Sequence, residues 1–67
     1  MPIVTVEMWP ISNEWKASLM KGITKAFTQV GIPSEAVSIV IHETPKENWG
    51  TGGEQHSILH SDQKPLQ

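Results

Sequence analysis

The stretch Met1-Pro2-Ile3-Val4-Thr5-Val6-Glu7-Met8 decides the fold of this chain. Odd and even positions are predicted to face opposite sides of a sheet, because a period of two with β-branched residues is typical of a strand. Proline has no N–H to donate to a sheet ladder, so Pro2 is acceptable only at the start or edge of such a strand. The sequence therefore predicts a β-strand over residues 2–9 that begins at a proline.

The position of Pro2 directly after the initiator methionine also has a chemical consequence. A small second residue normally permits an aminopeptidase to remove the methionine, which would leave Pro2 with a free secondary amine. An ordinary α-amino group titrates near ~7.7–8.0, and burial lowers the pKa of a cationic amine further. Such an amine is partly neutral near pH 7 and can act as a general base. The alternative is that Pro2 only precedes an edge strand.

An amphipathic helix is predicted to follow the first strand. Ser12 is a suitable N-cap, and Glu14 lies in the first turn, where the helix dipole favours negative charge. Apolar residues then recur at intervals of three and four, which is the pattern of one helix face. These residues are Trp15, Leu19, Ile23, Ala26, Phe27 and Val30. Gly31 stands where a glycine ends many helices, and Pro33 prevents the helix from continuing.

A second strand is predicted at residues 36–43, where Val37, Ile39 and Ile41 form one apolar face. Strand, helix and strand joined by short links form a βαβ unit, in which the strands are parallel and the crossover is right-handed. Residues 49–54, Trp-Gly-Thr-Gly-Gly-Glu, are predicted to form a tight hairpin, because glycine readily adopts positive φ. The predicted fold class is therefore α/β (α+β), a βαβ unit followed by a C-terminal β-hairpin.

The length and composition of the chain predict a single small domain, residues 1–67, that associates with copies of itself. A monomer of this size buries only ~60% of the surface of its unfolded chain, and small folds compensate through disulfides, metals or oligomerisation. The chain contains no cysteine, which excludes disulfides and leaves oligomerisation as the expected solution. No segment resembles a membrane span or a signal peptide, so we expect a cytoplasmic protein without a membrane partner.

The charged residues exclude further classes of ligand. The net charge of −2 argues against nucleic acid as a partner, because phosphate binding requires a basic surface. All five basic residues are lysines, so the chain lacks arginine, the side chain best suited to hold a carboxylate or phosphate in a bidentate manner. Charged substrates are therefore disfavoured.

Three features occur together in this short chain: Met-Pro running into a strand, the predicted βαβ unit, and the hairpin sequence at 49–54. With them, the chain resembles the 4-oxalocrotonate tautomerase family over residues 2–54, leaving residues 55–67 as a polar tail that either forms an arm on a neighbour or frays. The resemblance implies a tautomerase-like subunit that pairs into dimers with four-stranded sheets. It also implies a homohexamer, a trimer of dimers.

The resemblance implies a role for several residues. Pro2 would be the catalytic general base of a keto–enol tautomerase, an isomerase that requires no cofactor and no metal. Trp49 matches the aromatic residue that walls the pocket and keeps the proline amine desolvated. Ser38 stands at one arginine position of the family, and Ile11 or Ser12 stands at the other. Because both arginines are missing, a neutral or monocarboxylate enol that contacts Trp9, Ile11 and Trp49 is predicted rather than a dicarboxylate.

Several other residues are candidates for a functional role. His42 is a possible acid partner of Pro2, although an exposed or subunit-bridging histidine is the simpler interpretation. His56 and His60 have the i, i+4 spacing of metal ligands on a helix, but no other signal predicts a helix in the tail. Trp15 is most simply part of the helix stripe. The alternative function is a non-catalytic binding or scaffold protein of the same fold, and hydration, dehalogenation or decarboxylation by the same amine are further options.

Overall fold

The computed structural model describes residues 1–60 of the chain. It contains a parallel pair of strands joined by a long helix, and then a small hairpin and a short helix. The elements are β1 (Ile3–Met8), α1 (Asn13–Thr28), β2 (Ser38–Glu43), β3 (Gly50–Thr51), β4 (Glu54–Gln55) and α2 (His56–Leu59). The predicted fold class, a βαβ unit with a C-terminal hairpin, is confirmed.

Strands β1 and β2 pair in parallel, with Ile3 opposite Ser38 at one end and Met8 opposite Glu43 at the other. One face of this pair is half-buried and the other is exposed, as the alternation predicts. The half-buried face carries Val4, Val6, Met8, Ile39 and Ile41. The period of two has therefore placed most of the apolar side chains of both strands on the same side of the sheet.

The second strand is shorter than the predicted segment 36–43. A 3-10 turn occupies Ser34–Ala36, and the N–H of Val37 closes it by donating to the carbonyl oxygen of Ser34 at 3.1 Å. The extended pairing therefore begins only at Ser38, whose N–H donates to the carbonyl oxygen of Pro2. The alternation of Val37 with Ile39 and Ile41 predicted a longer strand, but the N–H of Val37 is engaged in the turn and does not pair with β1.

Helix α1 begins as its sequence predicts, because the Ser12 hydroxyl oxygen accepts a hydrogen bond from the N–H of Trp15 at 3.2 Å. It ends earlier than the apolar stripe indicated, at Thr28, with Gln29 as the C-cap. Val30 lies beyond the helix and is 74% exposed, so its inclusion in the helical stripe was wrong. Gly31 follows with a φ of +99°, the conformation that a glycine after a helix supplies at low cost.

The predicted hairpin is present at Gly50–Gln55, where β3 and β4 pair antiparallel through a turn at Gly52 and Gly53. Both turn glycines have positive φ, +63° and +85°. Helix α2 follows directly, so the segment predicted to be a polar tail begins with a short helix that the sequence did not predict. The rest of the predicted tail, residues 61–67, lies outside the described residues. Whether the tail forms an arm on a neighbour therefore stays a prediction.

The subunit by itself has almost no core. Among the described residues, Ile11 is the single hydrophobic side chain that is buried, with 8% exposure. Large apolar side chains remain at the surface, among them Ile3, Trp15, Leu19, Val40, Ile58 and Leu59. The exposed apolar surface is distributed over both faces of the subunit.

No helix within residues 1–60 combines the length and apolar character needed to cross a membrane.

Candidate active site

Pro2 is held at the start of β1 by the backbone of the neighbouring strand. Its carbonyl oxygen accepts a hydrogen bond from the N–H of Ser38 at 3.0 Å. The amino group of Met1 donates to the carbonyl oxygen of Ala36 at 2.6 Å, while the Met1 side chain is 90% exposed. In the chain as described, the Pro2 nitrogen belongs to a peptide bond. After removal of Met1, the amine of Pro2 would therefore be held in place by the hydrogen bond between Pro2 and β2.

The opposite end of the same sheet carries a cluster of rings. Trp9 follows β1 directly, Trp49 precedes the hairpin, and His56 and His60 lie on and just after α2. The His56 ring stacks on Trp49 with centroids 5.7 Å apart and an interplanar angle of 20°. It also meets Trp9 edge-on at 5.5 Å and His60 at 5.2 Å. We call these four residues the ring cluster.

Hydrogen bonds hold the ring cluster in place. The indole N–H of Trp49 donates to the carbonyl oxygen of Thr44 at 2.9 Å, and the N–H of His56 donates to the carbonyl oxygen of Trp49, also at 2.9 Å. His56 Nε2 lies 2.9 Å from the hydroxyl oxygen of Thr51. Lys46 Nζ lies 4.7 Å from the centre of the Trp9 ring and donates to the carbonyl oxygen of His60.

Two apolar grooves meet at Met8. One has a volume of about 340 Å³ and is lined by Met8, Trp9, Trp49 and His56, and we call it the tryptophan groove. The other has a volume of about 330 Å³ and lies between the sheet and helix α1, where Ile11 contributes to its wall. The structure therefore brings the predicted residues Trp9 and Trp49 together, but it places Ile11 in the neighbouring groove.

Glu43 was not predicted from the sequence, yet it fixes the loop between β1 and α1. Its carboxylate accepts the N–H of Ile11 at 2.8 Å and forms an ion pair with Lys16 at 2.6 Å. The hydrogen bond from Lys16, and then the one from Ile11, lower the pKa of the Glu43 carboxyl. Because these partners lie 27 and 32 residues away in sequence, no local pattern indicates this contact.

The predicted site residues fall at two separate ends of the subunit. Pro2 and Ser38 lie at the end where β1 and β2 begin, and the ring cluster lies where they finish. Six residues of β-strand span about 20 Å, which is too far for one small substrate to contact Pro2 and Trp49 of the same subunit. His42 also lies away from Pro2, where its Nδ1 pairs with the Glu7 carboxylate at 2.6 Å.

Comparison with known proteins identifies the family of this chain. The family described as Tautomerase enzyme matches residues 2–57. The chain belongs to the 4-oxalocrotonate tautomerase family. A 2-hydroxymuconate tautomerase of Comamonas testosteroni is 44% identical over 43 residues, which cover 63% of this chain and 68% of that protein. Like its relatives in the family, the chain is an enzyme of the isomerase class, a tautomerase.

Solved structures of the family agree with this assignment. TomN, a 4-oxalocrotonate tautomerase homologue in the tomaymycin biosynthetic pathway, is 31% identical with a TM-score of 0.83, covering 90% of this chain and 95% of TomN. A 4-oxalocrotonate tautomerase isozyme of Methylibium petroleiphilum is 35% identical with a TM-score of 0.78, covering 87% and 97% of the two chains. The recognition of the family from the sequence is confirmed.

Two histidines of this tautomerase, His56 and His60, contribute to the ring cluster although no sequence pattern assigned them that role. His56 and His60 were considered as a metal pair, but their rings pack on tryptophans, and the described residues contain no group of three or more potential metal ligands. The i, i+4 spacing was read only as a possible metal pair, and a helix in the tail was not predicted from it, whereas His56 opens the short helix α2 and His60 is its C-cap. Only the tertiary structure shows that His56 lines the tryptophan groove and that His60 packs against Trp9 beside it.

Proposed function

We propose that this tautomerase catalyses keto–enol proton transfer with the amine of Pro2 as the general base, after removal of Met1. The neutral nitrogen takes the proton of the enol hydroxyl, the oxygen becomes a carbonyl, and the same proton or its equivalent is returned to the adjacent carbon. Both steps move a proton and an electron pair within one conjugated substrate. Acid–base chemistry of this kind requires neither a cofactor nor a metal.

The observation that carries the proposal is the placement of Pro2 in a chain of this family. The hydrogen bond from Ser38 to the Pro2 carbonyl oxygen fixes the proline against β2. The exposed Met1 side chain leaves the preceding peptide bond accessible to an aminopeptidase. Pro2 itself is half-buried, a setting in which desolvation favours the neutral amine.

The active form is proposed to be an assembly of subunits, most simply a homohexamer built from three dimers. The near absence of buried side chains supports this, because a two-stranded sheet under one helix is not expected to be stable alone. The distance between the two ends of the sheet supports it independently. A pocket that combines Pro2 with Trp49 requires a second subunit, arranged so that its ring cluster adjoins the first subunit's proline.

The proposed substrate is a neutral or monocarboxylate enol, bound by Ser38 near Pro2 and by Trp9, Trp49 and the loop that carries Ile11. Ser38 is exposed at the Pro2 end of β2 and provides a hydroxyl where a guanidinium would hold a second carboxylate. The similarity to the 2-hydroxymuconate tautomerase of Comamonas testosteroni therefore supports the proposed reaction type without fixing the substrate. We expect the enzyme to act on a small molecule in the cytoplasm.

The test compares protein with a free Pro2 amine and protein whose Pro2 nitrogen is acylated by a retained Met1 or an added residue. Intact mass first establishes which form is present. Ketonisation of phenylenolpyruvate is then followed by absorbance, and the blocked form is expected to be slower by about 10²–10⁴-fold, the usual contribution of a general base. Pro2→Ala, which keeps a primary amine, is expected to fall between the two forms.

Sedimentation of both forms serves as the control, since the comparison is valid only when both are equally assembled. If the blocked protein is assembled and turns over as fast as the free amine, Pro2 is not the base. A non-catalytic binding or scaffold role would then be the better interpretation. It would gain weight if Met1 were retained in the cell, because the Met1 amino group already has a partner in Ala36.

A further inference from the structure

One residue that lines the tryptophan groove carries a buried polar atom without a hydrogen-bond partner among the described residues. The walls of the groove are the apolar surfaces of Met8, Trp9 and Trp49, together with the ring of His56. His56 Nδ1 is buried, and it has no hydrogen-bond partner among the described residues. Because a buried polar atom without a partner is costly, such atoms commonly mark a site where a ligand or water completes the bonding.

The imidazole of His56 is not free to turn and find another partner. Its Nε2 is engaged by the Thr51 hydroxyl at 2.9 Å, and its face is stacked on Trp49. A rotation of the ring by half a turn would break the bond to Thr51. Nδ1 is therefore held in one direction, and only a group that enters beside the ring can satisfy it.

The chemistry of the groove limits what this group is. Its tryptophan surfaces suit a planar aromatic or conjugated ring, which stacks favourably on indole. Met8, Trp9 and Trp49 offer a carboxylate no positive charge, so the carboxylate of a ligand is expected to lie outside the groove, where it stays hydrated. A hydroxyl is suitable for either tautomer of His56, since it can donate to an unprotonated Nδ1 or accept from a protonated one.

We propose that the tryptophan groove is a specificity site for a hydroxyl-bearing aromatic ring, and that His56 is the specificity-determining residue that binds this hydroxyl through Nδ1. The inference rests on the proposed function in one respect, namely that the ring belongs to the enol substrate whose other end lies at Pro2 of an adjoining subunit. Because Nδ1 is covered, the hydroxyl reaches it when a neighbouring ring moves aside. In the proposed site the ring that moves is that of His60, because it contacts both His56 and Trp9.

The binding experiment uses ligands that cannot react, so that it does not depend on catalysis. Isothermal titration calorimetry on the assembled protein compares 4-hydroxycinnamate with cinnamate, a pair that differs only in the ring hydroxyl. We expect the hydroxylated ligand to bind about tenfold more tightly, the typical effect of satisfying a buried polar atom. Equal affinities, or tighter binding of the conjugated dicarboxylate muconate than of 4-hydroxycinnamate, would overturn the proposal.

Matched variants of His56 separate the role of Nδ1 from that of the fold. His56→Asn places an amide close to the position of Nδ1, whereas His56→Gln places it close to Nε2, where it retains the contact with Thr51. We expect His56→Gln to lose the hydroxyl preference and His56→Asn to keep part of it. A preference that survives in His56→Gln would overturn the assignment, and circular dichroism verifies that the hairpin is intact in both variants.

His60→Ala provides a second test of the same geometry. It removes the ring that is proposed to move, without changing His56 or its bond to Thr51. The preference for 4-hydroxycinnamate should persist or increase, and its loss would contradict the proposal.

Failure of this inference can be distinguished from failure of the proposed function. Pro2→Ala should keep the hydroxyl preference in calorimetry even though its ketonisation is slow. A wild-type protein that shows the preference but no ketonisation would retain the groove assignment and lose the Pro2 mechanism. A protein that ketonises phenylenolpyruvate but binds both cinnamates equally would retain the mechanism and lose the role of His56.

Discussion

The two ends of the parallel sheet differ in how they are built. At the end where β1 and β2 begin, position is set by backbone hydrogen bonds, Ser38 to Pro2 and Met1 to Ala36, and the side chains are small or exposed. At the other end, position is set by side chains: the rings of Trp9, Trp49 and His56 contact each other, and Glu43 ties down the adjoining loop. One end holds the proposed nitrogen base, and the other holds the proposed binding surface.

Under the proposed function, this difference divides the labour between subunits. Neither end has both the base and a walled pocket, and the rigid strands prevent the two ends of one subunit from meeting. Symmetric pairing of two copies can bring unlike ends together twice, since the same surfaces are used by both partners. The proposed pairing would bury apolar side chains that are exposed in the subunit, namely Ile3 and Val40 on the sheet and Trp15 and Leu19 on the helix.

The largest expected effect comes from mixing two variants that are each defective at one end. Pro2→Ala removes the proposed base and Trp49→Ala removes a pocket wall, so each should lose activity, Pro2→Ala by up to about 10²–10⁴-fold. After the variants are unfolded together and refolded, about a quarter of the sites should combine an intact Pro2 with an intact Trp49. Phenylenolpyruvate ketonisation should then exceed the mean of the two separate variants.

The same mixing of Pro2→Ala with wild-type protein provides the control for refolding losses. If Pro2 and Trp49 act within one subunit, the mixture of the two variants will show only the average of their activities. That result would contradict the division of labour between subunits.

A smaller effect is expected from Ser38→Arg, which adds a charged clamp to the Pro2 end. Ser38 is exposed beside Pro2, so a guanidinium there can reach a second carboxylate of the substrate. The ratio of kcat/KM for a dicarboxylate enol to that for phenylenolpyruvate should rise about tenfold, as expected for a hydrogen bond to a charged group. Ser38→Gln, which adds length without charge, should leave the ratio unchanged. An unchanged ratio in a folded Ser38→Arg protein would count against the assignment of Ser38.

Two glycine substitutions test the stability of the hairpin and of helix α1 separately. Gly52→Ala forces a side chain into a φ of +63° and should destabilise the hairpin by about 1 kcal/mol or more. Gly22→Ala, at a position where an added Cβ meets nothing within 4 Å of the described subunit, should stabilise helix α1 by up to ~1 kcal/mol. Urea denaturation at one fixed protein concentration measures both. A destabilising Gly22→Ala would instead reveal close packing against another subunit.

The smallest effect concerns the acid stability contributed by Glu43. Lys16 and the Ile11 N–H lower the pKa of this carboxyl in the folded protein. The folded protein therefore binds a proton at Glu43 less tightly than the unfolded chain does. The stabilisation is present above the unfolded pKa, near 4.5, and is lost as pH falls through the lower folded value. Thermal unfolding of Glu43→Gln should therefore depend less on pH below about 4.5 than that of wild type. Glu54→Gln, in the exposed hairpin, should follow wild type.

The local elements could be predicted from the sequence because each depends on neighbouring residues. The alternation in Ile3–Met8 marks a strand, Ser12 caps the helix that follows, and Gly52 and Gly53 supply the positive φ of the turn. The errors were also local: Val30 had an apolar period but lies past the helix end. Where backbone turns compete with periodicity, as at Val37, the sequence alone gives no means of choosing.

By itself, the sequence determined the βαβ-hairpin fold and the start of a strand at Pro2, since these follow from residue period, capping and glycine placement. Only the tertiary structure decided which side chains meet. Trp9 and His56 are 47 positions apart in the numbering yet their rings touch, and Glu43 reaches Ile11 across 32. The sheet geometry likewise put Pro2 and Trp49 at opposite ends. Contacts of this kind depend on how strands and helices pack in space, and no pattern of neighbouring residues encodes them.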